Sequence, residues 1–240
     1  MAEPLLELSA VNTHIGQYHI LHGVDFAVPR NQLTMLLGRN GAGKTTCLRT
    51  VMGLWRASAG GIRYDGRDIT RAATPDLARQ GIAYVPENMG IFAGLTVKEN
   101  LVLASRSGPP DERRLERIFG LFPAMKKFWH TLAGNLSGGQ KQMLAISRAI
   151  VEPRKLLLVD EPTKGLAPAI IGALIDAFRE LKRDTTLLVV EQNFHFARSL
   201  GDTVAVMDSG RIVHTGTMPE LAADERLQQR LLGLSLDSHQ

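Results

Sequence analysis

The chain has 240 residues, 44% apolar and 22% charged, with 28 Lys and Arg against 24 Asp and Glu for a net charge of +4. That balance can bury a real core and excludes a disordered chain, while the length alone allows one large domain or two small ones. A pI near 9.4 suits polyphosphate, nucleic acid or an anionic membrane face, but no Lys/Arg block like those of basic arms occurs, which argues against nucleic acid.

The N-terminal MAEPLLELSA lacks a basic start, an apolar run and a cleavage site, so no secretory signal is predicted. Alternation in LLELSAV and HILHGVDFAV predicts antiparallel strands. Next, LTMLLG reads as a buried strand that runs into glycines and then into the helix pattern TTCLRTVMGL. Strand, glycine loop and helix open an α/β unit. Within that helix lies the one cysteine, Cys47, which excludes an internal disulfide, suits a reducing compartment and reads as a small buried residue. IAYVPE (82–87) reads as a further strand ended by a proline-bounded loop.

From about 94 to 152 the pattern turns helical. Thr96–Glu99 and Ser137–Gln140 both have capping-box spacing, and DERRLERIFGLF between them is amphipathic. A helical insertion in the α/β core is expected there. Short buried strands return in LLLVD, TLLVVEQ and TVAVMDSGRIVHTG, the last with Ser209-Gly210 as a hairpin turn. The tail, 219–240, reads as helical. The runs LLLV and TLLVV are too short to cross a bilayer, so any membrane crossing belongs to another chain. With no repeats and no long linker, a single domain over 1–240 is expected.

Residues 38–45 read GRNGAGKT, the spacing of a phosphate-binding loop. Its glycines, Gly38, Gly41 and Gly43, let backbone N–H groups curl around an anion with no Cβ in the way. Arg39, Asn40, Ala42 and Thr46 complete the loop and its exit, and the following helix turns its positive end to the phosphates. Lys44 supplies a charge for the β- and γ-phosphates, and the Thr45 hydroxyl can ligate Mg²⁺. The competing reading is a glycine turn that merely caps a helix.

LLLVDE (156–161) is a buried strand ending in two acids, placed where ligands bind in open α/β sheets. Asp160 would join the Mg²⁺ shell and Glu161 would orient or deprotonate the attacking water. Taken alone, the same residues could be a solvated acidic turn. In LSGGQ (136–140), Ser137 can cap a helix striped by Met143, Ile146 and Ile150. Gly138 and Gly139 are poor first-turn residues, each costing up to about 1 kcal/mol relative to Ala. Close backbone approach to an anion is a reason to keep them. No lysine or acidic metal ligand follows, so this helix end could touch phosphate but not hold a nucleotide alone. The simplest arrangement closes it over a nucleotide held by another subunit's loop.

GRNGAGKT, LSGGQ and LLLVDE, in this order, resemble the ATP-binding subunits of ABC transporters, and the resemblance covers nearly the whole chain. It implies a P-loop NTPase (RecA-like) α/β core, an N-terminal antiparallel β subdomain and a helical insertion. It also implies ATP and Mg²⁺ as ligands, with each ATP sandwiched between one subunit's P-loop and Ser137, Gly138, Gly139 and Gln140 of its partner. Departures narrow the match. Glu87 stands where most relatives carry a Gln that contacts Mg²⁺, the attacking water and the membrane subunit. Gln192 stands at the position of a His that contacts the γ-phosphate; its amide can donate but cannot carry positive charge. Ala167 replaces an Asp, and Ile15 occupies the place of an adenine-stacking aromatic, with His14 and Tyr18 close by.

VPENMGIFAGLTVKENL, EPTKGLAP and VEQNFHFA look like one branch, the paired ATPases of importers for branched-chain and other hydrophobic amino acids; urea and short-chain amide importers are close relatives. Implied partners are transmembrane permease subunits, a second ATP-binding subunit of different sequence and, indirectly, a periplasmic or extracellular substrate-binding protein, with the chain on the cytoplasmic face of the membrane. Three competitors stay open. A non-transport ABC ATPase acting on ribosomes or DNA usually carries two cassettes or a long coiled coil, and neither is present. A P-loop kinase or GTPase would need no partner loop. A regulatory subunit with weakened hydrolysis fits Gln192 and Ile15 but not intact Lys44, Asp160 and Glu161. His195, Trp55 and Trp129 read as packing or surface residues.

Overall fold

In the computed structural model, which describes residues 3–106 and 108–233, β1 (Leu6–Ile15) and β2 (Tyr18–Val28) pair antiparallel. With β4 (Ala57–Tyr64) and β5 (Arg67–Asp68) they form a sheet of order β2-β1-β4-β5. The last residues of the predicted helical tail, 234–240, lie outside the described residues.

The second sheet holds β3 (Leu33–Leu37), β6 (Ile82–Val85), β7 (Leu156–Asp160), β8 (Thr186–Glu191), β9 (Thr203–Asp208) and β10 (Arg211–Thr217), in the order β10-β9-β3-β8-β7-β6. β6 through β9 and β3 run parallel; β10 returns antiparallel on β9. Its turn is the expected one: Ser209 and Gly210 both have positive φ, 47° and 75°, the geometry that matches strand twist in a tight hairpin.

β3, β7 and β8 are buried along their whole length, as parallel strands covered on both faces must be. Successive side chains therefore feed two cores. Leu157 and Val159 face a cluster with Leu144 and Ile146 of α6 (Gly138–Ile150) and Leu174 and Phe178 of α7 (Pro168–Leu181). Leu156 and Leu158 face one with Leu6, Val24 and Leu48, the last on α1 (Lys44–Val51). Each buried leucine contributes about 1.5–3 kcal/mol. The sheet is thereby fixed between a β layer and a helical layer.

A short α2 (Thr74–Arg79) precedes β6; α3 (Val97–Ala104), α4 (Glu112–Leu121), α5 (Pro123–Lys127) and α6 fill the interval between β6 and β7. Both predicted capping boxes form: Thr96 with Glu99 at α3, and Ser137 with Gln140 at α6. The buried Glu152 carboxylate gathers Ser105 Oγ at 3.2 Å, the Arg106 N–H at 3.1 Å and Arg114 Nη1 at 2.9 Å. One acid so ties the ends of α3 and α6 to the start of α4. After β8 come α8 (Phe194–Leu200) and, beyond β10, α9 (Met218–Ala223) and α10 (Glu225–Leu232).

Candidate nucleotide site

Because β3, β6, β7 and β8 are parallel neighbours, their carboxyl ends open on one edge of the sheet. β3 delivers the glycine loop, β7 delivers Asp160 and Glu161, β8 delivers Glu191 and Gln192, and β6 leads to Pro86 and Glu87. Register makes this concrete: Leu37 lies opposite Glu191, and Asp160 opposite Val190.

The loop has little freedom. Gly38 has φ 151°, and a Cβ there would lie 2.2 Å from the Met207 carbonyl oxygen; only glycine fits. Lys44, 4% exposed, donates from Nζ to the carbonyls of Gly38 at 2.8 Å and Arg39 at 3.0 Å. Its ammonium also sits 3.6 Å from Glu161 Oε1. Burial holds the Lys44 pKa below the usual lysine value, and the facing Glu161 carboxylate opposes that shift.

Thr45 Oγ1 donates to Asp160 Oδ1 at 3.1 Å, and Tyr84 donates its hydroxyl to Asp160 Oδ2 at 3.1 Å. Asp160 is fully buried and burial raises its pKa, the two hydroxyl donors working against the rise. Gln192 Nε2 donates to both Glu161 Oε1, at 2.7 Å, and Asn40 Oδ1, at 2.6 Å. Glu161 itself has φ 46°, a left-handed conformation that costs a non-glycine residue about 1–3 kcal/mol and clusters at functional sites.

Glu87 makes no hydrogen bond to Thr45 or Asp160 among the described residues, although its charge is felt at Asp160. Its carboxylate lies 2.5 Å from Lys164 Nζ, which also stands 3.6 Å from Glu161 Oε2. Ile15 ends β1 at the tip of the β1–β2 hairpin. Beside it His14 and His19 stack at 4.1 Å and His19 meets His22 at 4.0 Å, while Tyr18 is 66% exposed. The hairpin reaches the loop through backbone bonds, His22 N–H to Gly210 O and Gly210 N–H to Ala42 O, both 2.9 Å.

Ser137 and Gly138 are exposed at the head of α6, and among the described residues no hydrogen bond joins them to the glycine loop. Gly139 has a reason within the chain: a Cβ there would sit 2.8 Å from Ile170 Cγ2 of α7. Packing thus gives Gly139 a further reason to be glycine, whereas a Cβ on Gly138 would find only Leu166 at 3.9 Å. Cys47 is buried, which pushes its thiol pKa up to about 12 and makes it inert at neutral pH. His195 is exposed, and Trp129 packs edge-on against Phe119 at 5.4 Å.

Sequence reasoning missed Tyr84, Lys164, Glu191 and the C-terminal contact in which Gly233 lies against the Arg39 guanidinium. A Cβ on Gly233 would come 2.5 Å from Arg39 Nη2. The tyrosine was visible inside IAYVP but gave no sign of facing Asp160.

A glycine loop holding a buried lysine, a hydroxyl paired with a buried acid and a second acid at the strand end define a P-loop ATPase site. The ABC transporter family model matches residues 21–164. The high-affinity branched-chain amino acid transport ATP-binding protein BraG of Pseudomonas aeruginosa is 38% identical over 232 residues, covering 95% of this chain and 100% of BraG. The probable branched-chain amino acid transport ATP-binding protein LivF of Archaeoglobus fulgidus is 34% identical, covering 96% of this chain and 99% of LivF. A solved ATP-binding subunit of an ABC transporter superposes with a TM-score of 0.80 at 29% identity, covering 97% of this chain and 96% of that one. The chain belongs to the ABC transporter family. Within it, the chain is an ATP-binding subunit and an ATPase.

Proposed function

We propose that the protein is the ATP-hydrolysing subunit of an importer for branched-chain or other hydrophobic amino acids, working against a second ATP-binding subunit at the cytoplasmic face of the cell membrane. The relatives BraG and LivF, similar over nearly their whole lengths, support the transport class. Substrate choice rests with the permease and an external binding protein.

In this reading the amides of residues 38–45 and the N-terminus of α1 take the phosphates, and Lys44 exchanges loop carbonyls for phosphate oxygens. Glu161 takes the proton of the attacking water. Gln192 donates its amide toward the γ-phosphate from its place between Asn40 and Glu161. Thr45 and Asp160 fit Mg²⁺, being hard oxygen donors that already converge, one of them a buried carboxylate whose desolvation a dication relieves. Bound there, Mg²⁺ supplies charge neutralisation of the phosphates. Glu87, held by Lys164, is the third candidate ligand.

The observation that supports the reading is that one chain carries two glycine-containing helix starts with no hydrogen bond between them among the described residues. The P-loop carries charge and metal ligands; the exposed, capped head of α6 carries neither. Ser137, Gly138, Gly139 and Gln140 then complete the partner's site rather than their own, and ATP stabilises the closed pair relative to the open one. Permease docking falls to the groove of about 630 Å³ lined by Arg49, Leu54, Trp55, Met89 and Arg148. Leu54 (50% exposed) there, and Phe92 (49% exposed) beside Arg148, are apolar side chains suited to a partner.

The test is transport by the complete complex in proteoliposomes. ATP-dependent uptake of labelled leucine is the expected result; uptake of urea or acetamide with none of leucine would overturn the substrate class.

A further inference from the structure

Glu191 takes no part in the chemistry just described, yet it is only 2% exposed. It closes β8, between the strand that delivers the P-loop and the strand that delivers Glu161. Its Oε1 accepts the Thr163 N–H at 2.9 Å, and its Oε2 accepts the N–H groups of Gln192 at 3.0 Å and Asn193 at 3.1 Å. Thr163 belongs to the loop that leaves β7 just after Glu161. Gln192 and Asn193 belong to the loop that leaves β8. One carboxylate so ties together two loops that otherwise meet through backbone only at Glu161 N–H to Val190 O, 2.9 Å.

The two loops carry the groups that must cooperate. Gln192 Nε2 touches Glu161 Oε1 at 2.7 Å, and Glu161 occupies a left-handed backbone conformation that persists only where its surroundings over-determine it. Among the described residues no ion pair is made by Glu191. Burial raises its pKa, and the Thr163 side chain, followed by the amide donors, opposes the rise by favouring the charged form. A buried acid held by Thr163 and three backbone amides, without an ion pair, is costly to maintain.

We propose that Glu191 is a positioning residue for hydrolysis: by binding the amides of Thr163, Gln192 and Asn193 it holds Glu161 and Gln192 in mutual register. The proposal rests on the reading of Glu161 as base and Gln192 as γ-phosphate contact. Replacement by glutamine keeps the shape but leaves one acceptor oxygen, so at least one of the two loops is released.

The experiment compares Glu191→Gln and Glu191→Ala with the parent in the assembled complex, measuring kcat, KM for ATP and nucleotide-binding stoichiometry. Amide hydrogen exchange is followed at Thr163, Gln192 and Asn193 in the full chain. For Glu191→Gln, kcat falls about 10²-fold, the cost of a small misplacement of catalytic groups, while KM and stoichiometry stay within about twofold. Exchange at the three amides accelerates. Adding Glu191→Gln to Glu161→Gln gives little further loss, because both act through one group. Parent-like kcat, a kcat loss matched by lost binding stoichiometry, or unchanged exchange would each overturn the proposal. If Glu161→Gln turns over like the parent, the base assignment fails by itself, and the exchange data still judge whether Glu191 ties the loops. Should Glu191→Ala not fold, Glu191→Gln alone decides.

Discussion

The sheet edge and the head of α6 are both helix-end phosphate sites by sequence, but they are finished differently. At the sheet edge the charges nearest the phosphate loop have partners inside the chain: Lys44 faces Glu161, Thr45 and Tyr84 hold Asp160, and Lys164 holds Glu87. At α6 the cap closes on itself, with Gln140 N–H to Ser137 Oγ at 3.3 Å and Ser137 N–H to Gln140 Oε1 at 2.9 Å, and the surface beyond is bare. A site built to bind needs buried charge and rigid support. A site built to close over another chain's ligand needs only presented N–H groups and small side chains. The difference supports the proposed division of catalysis between protomers.

The largest expected effect lies at the sheet edge. Glu161→Gln lowers ATP hydrolysis by about 10²–10⁴-fold, the usual worth of a positioned base, while ATP still binds and holds the closed pair on size-exclusion chromatography. Equal turnover in variant and parent removes Glu161 as base. Next, Lys44→Ala loses charge-assisted contacts worth about 1.5–3 kcal/mol and weakens fluorescent-nucleotide binding by roughly 10–100-fold. Unchanged affinity would erase the contrast between the two regions.

Smaller effects sharpen the account of α6. Gly139→Ala crowds Ile170, at about 1–3 kcal/mol, against a propensity gain of about 1 kcal/mol, so thermal unfolding shows net loss. Gly138→Ala, whose Cβ meets only Leu166 at 3.9 Å, gains up to about 1 kcal/mol in the isolated chain but slows hydrolysis in the complex. Equal behaviour of the two glycines would contradict the division of labour drawn between them. Last, Ser137→Ala removes the cap and costs about 1 kcal/mol on denaturant unfolding.

What was legible in the sequence was local. The P-loop and α1, both capping boxes, the Ser209-Gly210 hairpin and the acid-ended β7 each carry their signal within a few residues. The stretch 57–79 gave no such signal. β4 contains Ala-Ser-Ala-Gly-Gly, poor strand formers, and is held by pairing with β1, as Leu8 with Ile62. α2 is only six residues long. The site divides the same way. Lys44, Thr45, Asp160 and Glu161 follow from motifs, whereas Tyr84 on Asp160, Lys164 on Glu87 and Glu191 across two loops depend on the order β3-β8-β7-β6, which no local pattern encodes. The packing reason for Gly139 was not legible because Ile170 lies on a different helix.

The most direct measurement is made on Ser137→Arg in the assembled transporter. Nucleotide affinity at this chain's own P-loop stays at the parent value, while hydrolysis at the partner's P-loop falls by more than about 10²-fold because that site is blocked. Hydrolysis at the parent rate, with an arginine projecting from the head of α6, would mean that each chain completes its own site and that the division between protomers is wrong.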